Sequence, residues 1–429
     1  MRLPQTIKLK NGLIVVLLQK PDSYSVSLCV VLNAGSKYET SETIGAAHFL
    51  EHMLFEGTDK YPDSSTLGWL LESIGGRSTA WTDKDYVQYS VKLPKDKWKV
   101  GLEYLSQVLF HSKFSSEMVK NERKIIAEEY KRKIDNSEIE AWELFMAETF
   151  GSRSYLGRSI LGNPNAINML TKSKLEDYLR HYYTPYNMVL VLVGKFDLEE
   201  TLDKVSHYFE SKDRGNHELI YRADVKTTNK KIFFKHSSNL QNQIVLGFVT
   251  GVTLNHKDLP VLKIIRNLLG FGLGSRIVQE LVYKLGVAYS TAVWNVSYQE
   301  TGIFSITCGV STENVDIAVQ AILSEFTKLK ENNVTKKELK NAIAQEIAEE
   351  FYVYENNESA ATSFALQQLL EGEIKGIKYK QEKLIKVSQD DIRNVARKYF
   401  TERTLKCLIR GKSSQATKKK IENKINHFK

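Results

Sequence analysis

His48, Glu51 and His52 fall within five consecutive residues, HFLEH. On a helix, two imidazoles four residues apart share a face. The carboxylate just before the second imidazole lies on the flank of that face. Such a face presents two nitrogens to a zinc ion and a general base to the water on it. H-x-x-E-H is one of the known catalytic zinc patterns. The motif alone is incomplete, because a catalytic zinc takes three protein ligands and keeps one position open.

The segment NERKIIAEEYKR, from Asn121, reads as helix and carries three candidate carboxylates: Glu122, Glu128 and Glu129. Glu122 and Glu129 are seven residues apart, close to two helical turns, so they share a face. Glu128 is rotated from that face by roughly 100°. Two carboxylates on one face suit one metal ligand and one partner that holds a histidine.

The elements that must position these groups occur twice. KLEDYLRHYYTPYNMVLVLVG (174–194) matches DIRNVARKYFTERTLKCLIRG (391–411), with Lys174 aligned to Asp391. Arg180, Tyr182, Thr184 and Gly194 recur as Arg397, Tyr399, Thr401 and Gly411. Both segments read as a helix turning into a strand, and an offset near half the chain points to duplication. Each half opens with strand-like sequence, SVSLCVVLNAG from Ser25 and QIVLGFVTG from Gln243. A helix follows in each, then a second one near 65–74 and 275–285. Strands come next, near 77–93 and 287–311, and long helical stretches near 115–150 and 314–371. Strands of period two in blocks, separated by runs of helix, predict an α+β fold with helices packed on antiparallel-rich sheets. The polar stretch Ser211–Lys231 reads as a linker, which divides the chain into domains 1–212 and 213–429. The second half has no H-x-x-E-H, so one metal site per chain is expected.

Composition excludes several classes. The chain has 429 residues, 42% hydrophobic and 26% charged, which is the balance of a globular protein with more than one core. No apolar run reaches the roughly 18 residues that span a membrane, and the first residues lack an apolar leader core, so a cytoplasmic protein is expected. Cys29, Cys308 and Cys407 are sparse and far apart, and buried thiols are expected instead of a disulfide framework. The net charge of +9 owes part of its excess to Lys418, Lys419, Lys420, Lys424 and Lys429. Basic residues are otherwise spread along the chain without an aromatic–basic motif. A solvated surface, with no nucleic-acid partner, is the expectation.

The chain resembles the M16 family of zinc metallopeptidases, the inverzincins, and most of all its short bacterial members. The resemblance rests on HFLEH and on landmarks along about residues 5–411. These are KLKNGLIVVLLQ (8–19), LNAGSKYET (32–40), GTDKYPDSS (57–65), LGRSILGNPNAI (156–167), HYYTPYNMVLVLVG (181–194) and LGFGLGSRIVQELVYKLGVAY (269–289). It implies two homologous domains, the first catalytic and the second inactive, which together form half of a clam-shell chamber. It also implies one zinc ion held by His48, His52 and Glu129, since the family places its third ligand at that separation beyond the second histidine. Glu122 matches an auxiliary glutamate of the family. Glu51 is the implied base in the hydrolysis of peptides or unfolded polypeptides. A processing peptidase for one precursor is the alternative, and a non-catalytic structural homologue is a more distant one.

The resemblance further implies that substrate adds as a strand to a sheet edge beside the motif helix. Here that edge is Arg77–Asp83, with Ser78, Thr79, Ala80 and Trp81 as the substrate-binding residues. Thr79 stands where many members have Asn. Many members also carry an Arg and a Tyr seven residues apart in the second half. Tyr289 matches the Tyr as a catalytic residue, but Val282 occupies the Arg position and offers neither charge nor hydrogen bond. The expected assembly is a dimer: a heterodimer with an Arg-Tyr-bearing paralogue, or a homodimer.

Overall fold

The structure is a computed structural model and describes residues 3–210, 225–239 and 241–428. The chain forms two compact units. The first comprises Met1–Arg132, Ser159–Ala223 and Phe351–Gly376; the second comprises Lys133–Arg158, Asp224–Glu350 and Ile377–Lys429. The expected boundary at 212/213 lies outside the described residues, as does most of the expected linker. The units are not contiguous halves of the chain, because one segment of each half joins the unit of the other.

The first unit is built on six strands: β1 (Gln5–Lys8), β2 (Ile14–Gln19), β3 (Ser25–Leu32), β4 (Arg77–Thr82), β5 (Val87–Pro94) and β6 (Met188–Gly194). Their order across the sheet is β1-β2-β6-β3-β5-β4. The β2–β6 pairing is parallel and the others are antiparallel. The strand β6, MVLVLVG, is buried along its whole length. An unbroken apolar run of this kind marks a strand covered on both faces. Leu190 and Leu192 face one way, with Leu28, Val30, Phe49 and Leu50. Val189, Val191 and Val193 face the other, against Ala360, Ala361, Phe364 and Ala365 of the helix Asn357–Leu366. The alanines allow that helix to lie close to the sheet. This requirement explains why a segment from the second half of the sequence belongs to the first unit.

The second unit repeats the plan with β7 (Ile232–Lys235), β8 (Asn242–Val249), β9 (Ala288–Ser297), β10 (Gly302–Val310) and β11 (Leu405–Arg410). The order is β7-β11-β8-β10-β9, and only β7–β11 is parallel, the counterpart of β2–β6. The two sheets therefore share a topology, and the fold is α+β with two mostly antiparallel sheets, as expected. The duplication reaches single atoms. Gly194 and Gly411 stand at the ends of β6 and β11 with φ 142° and 146°. A Cβ at Gly194 would collide with the Ser25 carbonyl oxygen, and one at Gly411 would collide with Asn242 Oδ1. Ser25 and Asn242 are themselves related by the offset that relates the two glycines. Left-handed backbone and a close neighbouring strand together require glycine at both places.

Five helices of the first half follow β3 and β5: α1 (Ala46–Met53), α2 (Ser64–Glu72), α3 (Trp98–Phe110), α4 (Ser116–Asp135) and α5 (Ser137–Phe150). The expected long helical stretch near 115–150 is thus two helices, separated where Asn136 caps α5 through Glu138 N and Ile139 N. All three cysteines are buried and unbridged, as expected. No described helix is long and apolar enough to cross a membrane.

Candidate metal centre

The motif helix α1 is short, and its position is set from outside. Gly45 starts it at φ 89° with no side-chain cap of its own. The buried Glu39 supplies one, accepting a hydrogen bond from Ala47 N at 3.1 Å. A carboxylate at a helix N-terminus is favoured by the exposed amides and the helix dipole. Phe49, Leu50 and Met53 anchor α1 in the core. The turn that carries His48, Glu51 and His52 is left beside α4 and β4.

Helix α4 is mostly polar, and the residues it buries are Val119, Glu122 and Ile126. Arg123 ties it down by donating to the Ile167 and Leu170 carbonyls at 3.3 and 2.7 Å. Glu129, half-buried, continues the same face. One Glu129 oxygen, Oε2, lies 3.6 Å from His48 Nε2 and 3.5 Å from His52 Nε2. Donor atoms of His48, His52 and Glu129 all lie within 4.8 Å of one another. Tetrahedral zinc with bonds near 2.0–2.1 Å places its ligands about 3.3 Å apart. The spacing and the mixed imidazole–carboxylate donor set therefore fit a zinc ion bound by these three residues.

Glu122 contributes differently. Its buried carboxylate accepts a hydrogen bond from His52 Nδ1 at 2.7 Å. That contact sets the tautomer and turns His52 Nε2 toward Glu129. Burial opposes a charge on His52, but hydrogen bonds and charge from Glu122 and Glu129 prevail and raise it to about 10. Hydrogen bonds with His48 and His52 depress the Glu129 carboxyl far below its usual range despite burial. Both shifts describe a cluster with a strong demand for positive charge. Glu128 points away, is mostly exposed and pairs with Lys131 at 2.6 Å. The shared-face reading of Glu122 and Glu129 thus matches the geometry.

Glu51 lies on the flank of the cluster. Thr82 Oγ1, at the end of β4, donates to Glu51 Oε2 at 2.5 Å. β4 forms the edge of its sheet, paired with β5 on one side only among the described strands. Ser78, Thr79 and Trp81 are exposed and Ala80 is half-buried. The expected edge strand beside the motif helix is therefore present. Tyr289 belongs to the second unit, where it is 75% exposed on the edge strand β9, and Val282 is half-buried six residues before that strand. Reading the sequence missed three positioning groups: Thr82, Glu39 and Arg123. Thr82 lay inside the segment singled out as the edge, but nothing in its spacing pointed to Glu51. Glu39 and Arg123 act through backbone amides and carbonyls, which leave no mark in sequence.

Residues 14–163 match the family Insulinase (Peptidase family M16), and residues 169–346 match the Peptidase M16 inactive domain. The chain is 28% identical over 394 residues to the "uncharacterized zinc protease YmxG" of Bacillus subtilis, covering 92% of this chain and 95% of that one. It is 27% identical over 332 residues to the "probable mitochondrial-processing peptidase subunit beta" of Arabidopsis thaliana, covering 75% and 62% of the two chains. A protease from Helicobacter pylori has the same fold, with TM-score 0.87 at 22% identity over 95% and 99% of the two chains. The chain belongs to the M16 family of metallopeptidases and is of its short bacterial type.

Proposed function

We propose that this protein is a zinc-dependent endopeptidase that hydrolyses peptides or unfolded polypeptides. The convergence of His48, His52 and Glu129 within 4.8 Å, with Glu51 on the flank, carries the reading. Zinc, when bound by these three residues, would acidify water and polarise a peptide carbonyl. Glu51 takes the proton of the attacking water as its oxygen bonds to the carbonyl carbon. The same carboxyl then returns the proton to the leaving nitrogen as the C–N bond breaks. Glu122 holds His52 throughout.

The outer edge of β4, unpaired among the described residues, receives the substrate as an added strand. Pairing is through the backbone of Ser78–Trp81, which gives affinity with little sequence preference. The protein works as a dimer. Because Val282 stands where the Arg seven residues before Tyr289 is expected, the partner is a paralogue whose Arg-Tyr pair serves this chain's metal site; a homodimer that works without the Arg is the alternative. Purified alone, a fully active, zinc-loaded homodimer would refute the paralogue. Processing of one precursor is the second reading, favoured by similarity to the Arabidopsis protein, and a single preferred cleavage site would select it.

The decisive variant is Glu51→Gln. It is expected to retain zinc and to lose turnover of a quenched fluorescent peptide by about 10²–10⁴-fold, the usual contribution of a general base. Retained turnover would refute the proposal.

A further inference from the structure

We infer that Thr82 is a positioning residue that couples the substrate-receiving edge to the base, an inference that rests on the peptidase reading above. Thr82 is the last residue of β4 and the only buried one, at 4% exposure. In a strand, alternate residues share a face. Ser78, Ala80 and Thr82 therefore form one face, and Ser78 Oγ lies 3.1 Å from the Tyr104 hydroxyl. Thr82 presents its hydroxyl to Glu51 Oε2 at 2.5 Å. A neutral donor to one carboxylate oxygen leaves the other oxygen to take a proton and fixes where it points. The helix α1 packs directly on β4, so the strand and the base move together.

The consequence concerns substrate. β4 pairs with β5 from Arg77↔Lys92 to Thr82↔Val87, and its outer edge has no partner strand among the described residues. A peptide added to that edge immobilises the β4 backbone from both sides. The same event immobilises the Thr82 hydroxyl and, through it, the Glu51 carboxylate. Binding of substrate at Ser78–Trp81 is in this way converted into orientation of the base, an effect realised on kcat and not on KM.

The test compares Thr82→Val, Thr82→Ser and Glu51→Gln in the zinc-loaded enzyme. Thr82→Val removes the hydroxyl and is expected to lower kcat about 10- to 100-fold, the loss typical of a hydrogen bond to a charged group. KM and bound zinc should stay unchanged, and Thr82→Ser should recover most of the rate. A crystal structure of Thr82→Val should show the Glu51 carboxylate displaced, a readout independent of activity. Full kcat in Thr82→Val, a rise confined to KM, loss of zinc, or an unmoved Glu51 would each overturn the inference. Glu51→Gln separates the two levels. If it keeps turnover, the peptidase reading fails; if it is inactive while Thr82→Val is fully active, only the coupling fails.

Discussion

The two units contain the same helix crossing with opposite chemistry. In the first, α1 presents His48, Glu51 and His52 to Glu129 of α4. In the second, the helix Leu259–Gly270 follows β8 as α1 follows β3, and it presents Lys263, Arg266 and Asn267 at the same spacing. The facing residue is Glu346, which stands to Glu129 as Gly411 stands to Gly194 along the duplicated chain. Lys263 Nζ and Arg266 Nη2 lie 3.2 and 2.9 Å from its carboxylate oxygens, and Asn267 Nδ2 donates to it at 3.1 Å. Glu350 adds a second carboxylate 3.7 Å from Lys263. Where Glu122 holds His52, the equivalent residue is Leu339, packed against the core. A carboxylate on the long helix is common to both crossings. In the second unit the facing side chains bring their own positive charge; in the first they bring nitrogen lone pairs. The difference between a candidate metal centre and an ion-pair cluster thus lies in a few side chains on one frame.

The sharpest way to break this comparison is to remove the shared carboxylate from each crossing. Glu129→Ala should lose zinc and peptide hydrolysis, measured by metal content and turnover, while Glu128→Ala should change neither. Equal zinc loss in both would contradict the geometry. Glu122→Gln should weaken zinc affinity about 10- to 100-fold, as removal of a partner orienting a metal-bound histidine does. Restoring the pattern in the second unit, Lys263→His with Arg266→Glu and Asn267→His, should raise metal content toward two ions per chain. No added metal would mean that more than the side chains separates the crossings. In the second unit, Glu346→Ala should leave zinc unchanged and cost about 1–3 kcal/mol of stability in denaturant unfolding. The value is below that of a fully buried pair, because Lys263 and Arg266 are about one-third exposed.

The smallest effect is in pH dependence. His52 has its pKa raised from 6.5 to about 10, so its contribution to metal-free stability is complete below about 6.5 and lost as pH rises through 10. Glu129 is depressed from 4.5, so its contribution is complete above that value and lost as pH falls. Metal-free protein should therefore show the largest contribution from this cluster between about pH 4.5 and 6.5. Zinc-loaded protein should keep its stability to higher pH, because the ion replaces the proton on His52. Identical Tm profiles of the two forms would contradict this account.

Much of the site was legible because it is local. HFLEH is a single helical turn, and Glu122 and Glu129 share a face by spacing alone. The repeated strand plan was legible from period-two runs and from a match offset by about half the chain. The discontinuous units were not. The helix Asn357–Leu366 reads as helix in sequence, but its alanines do not say which sheet they will cover. That assignment depends on the apolar face that Cys29, Val31, Val189, Val191 and Val193 form on β3 and β6, which belong to the other half of the sequence.

The sequence by itself determined which atoms could bind a metal, which carboxylates faced one way, and that the chain was a duplicated α+β protein. These follow from periodicities of 3.6 and 2 and from donor chemistry, which neighbours along the chain carry. Only the tertiary structure decided that α1 and α4 cross with Glu129 Oε2 at 3.5 and 3.6 Å from the two imidazoles. It alone brought Thr82 to Glu51, Glu39 to the start of α1, and Lys263 and Arg266 to Glu346. Each of these contacts joins segments whose separation is set by packing of the core, and core packing is a property of the whole fold.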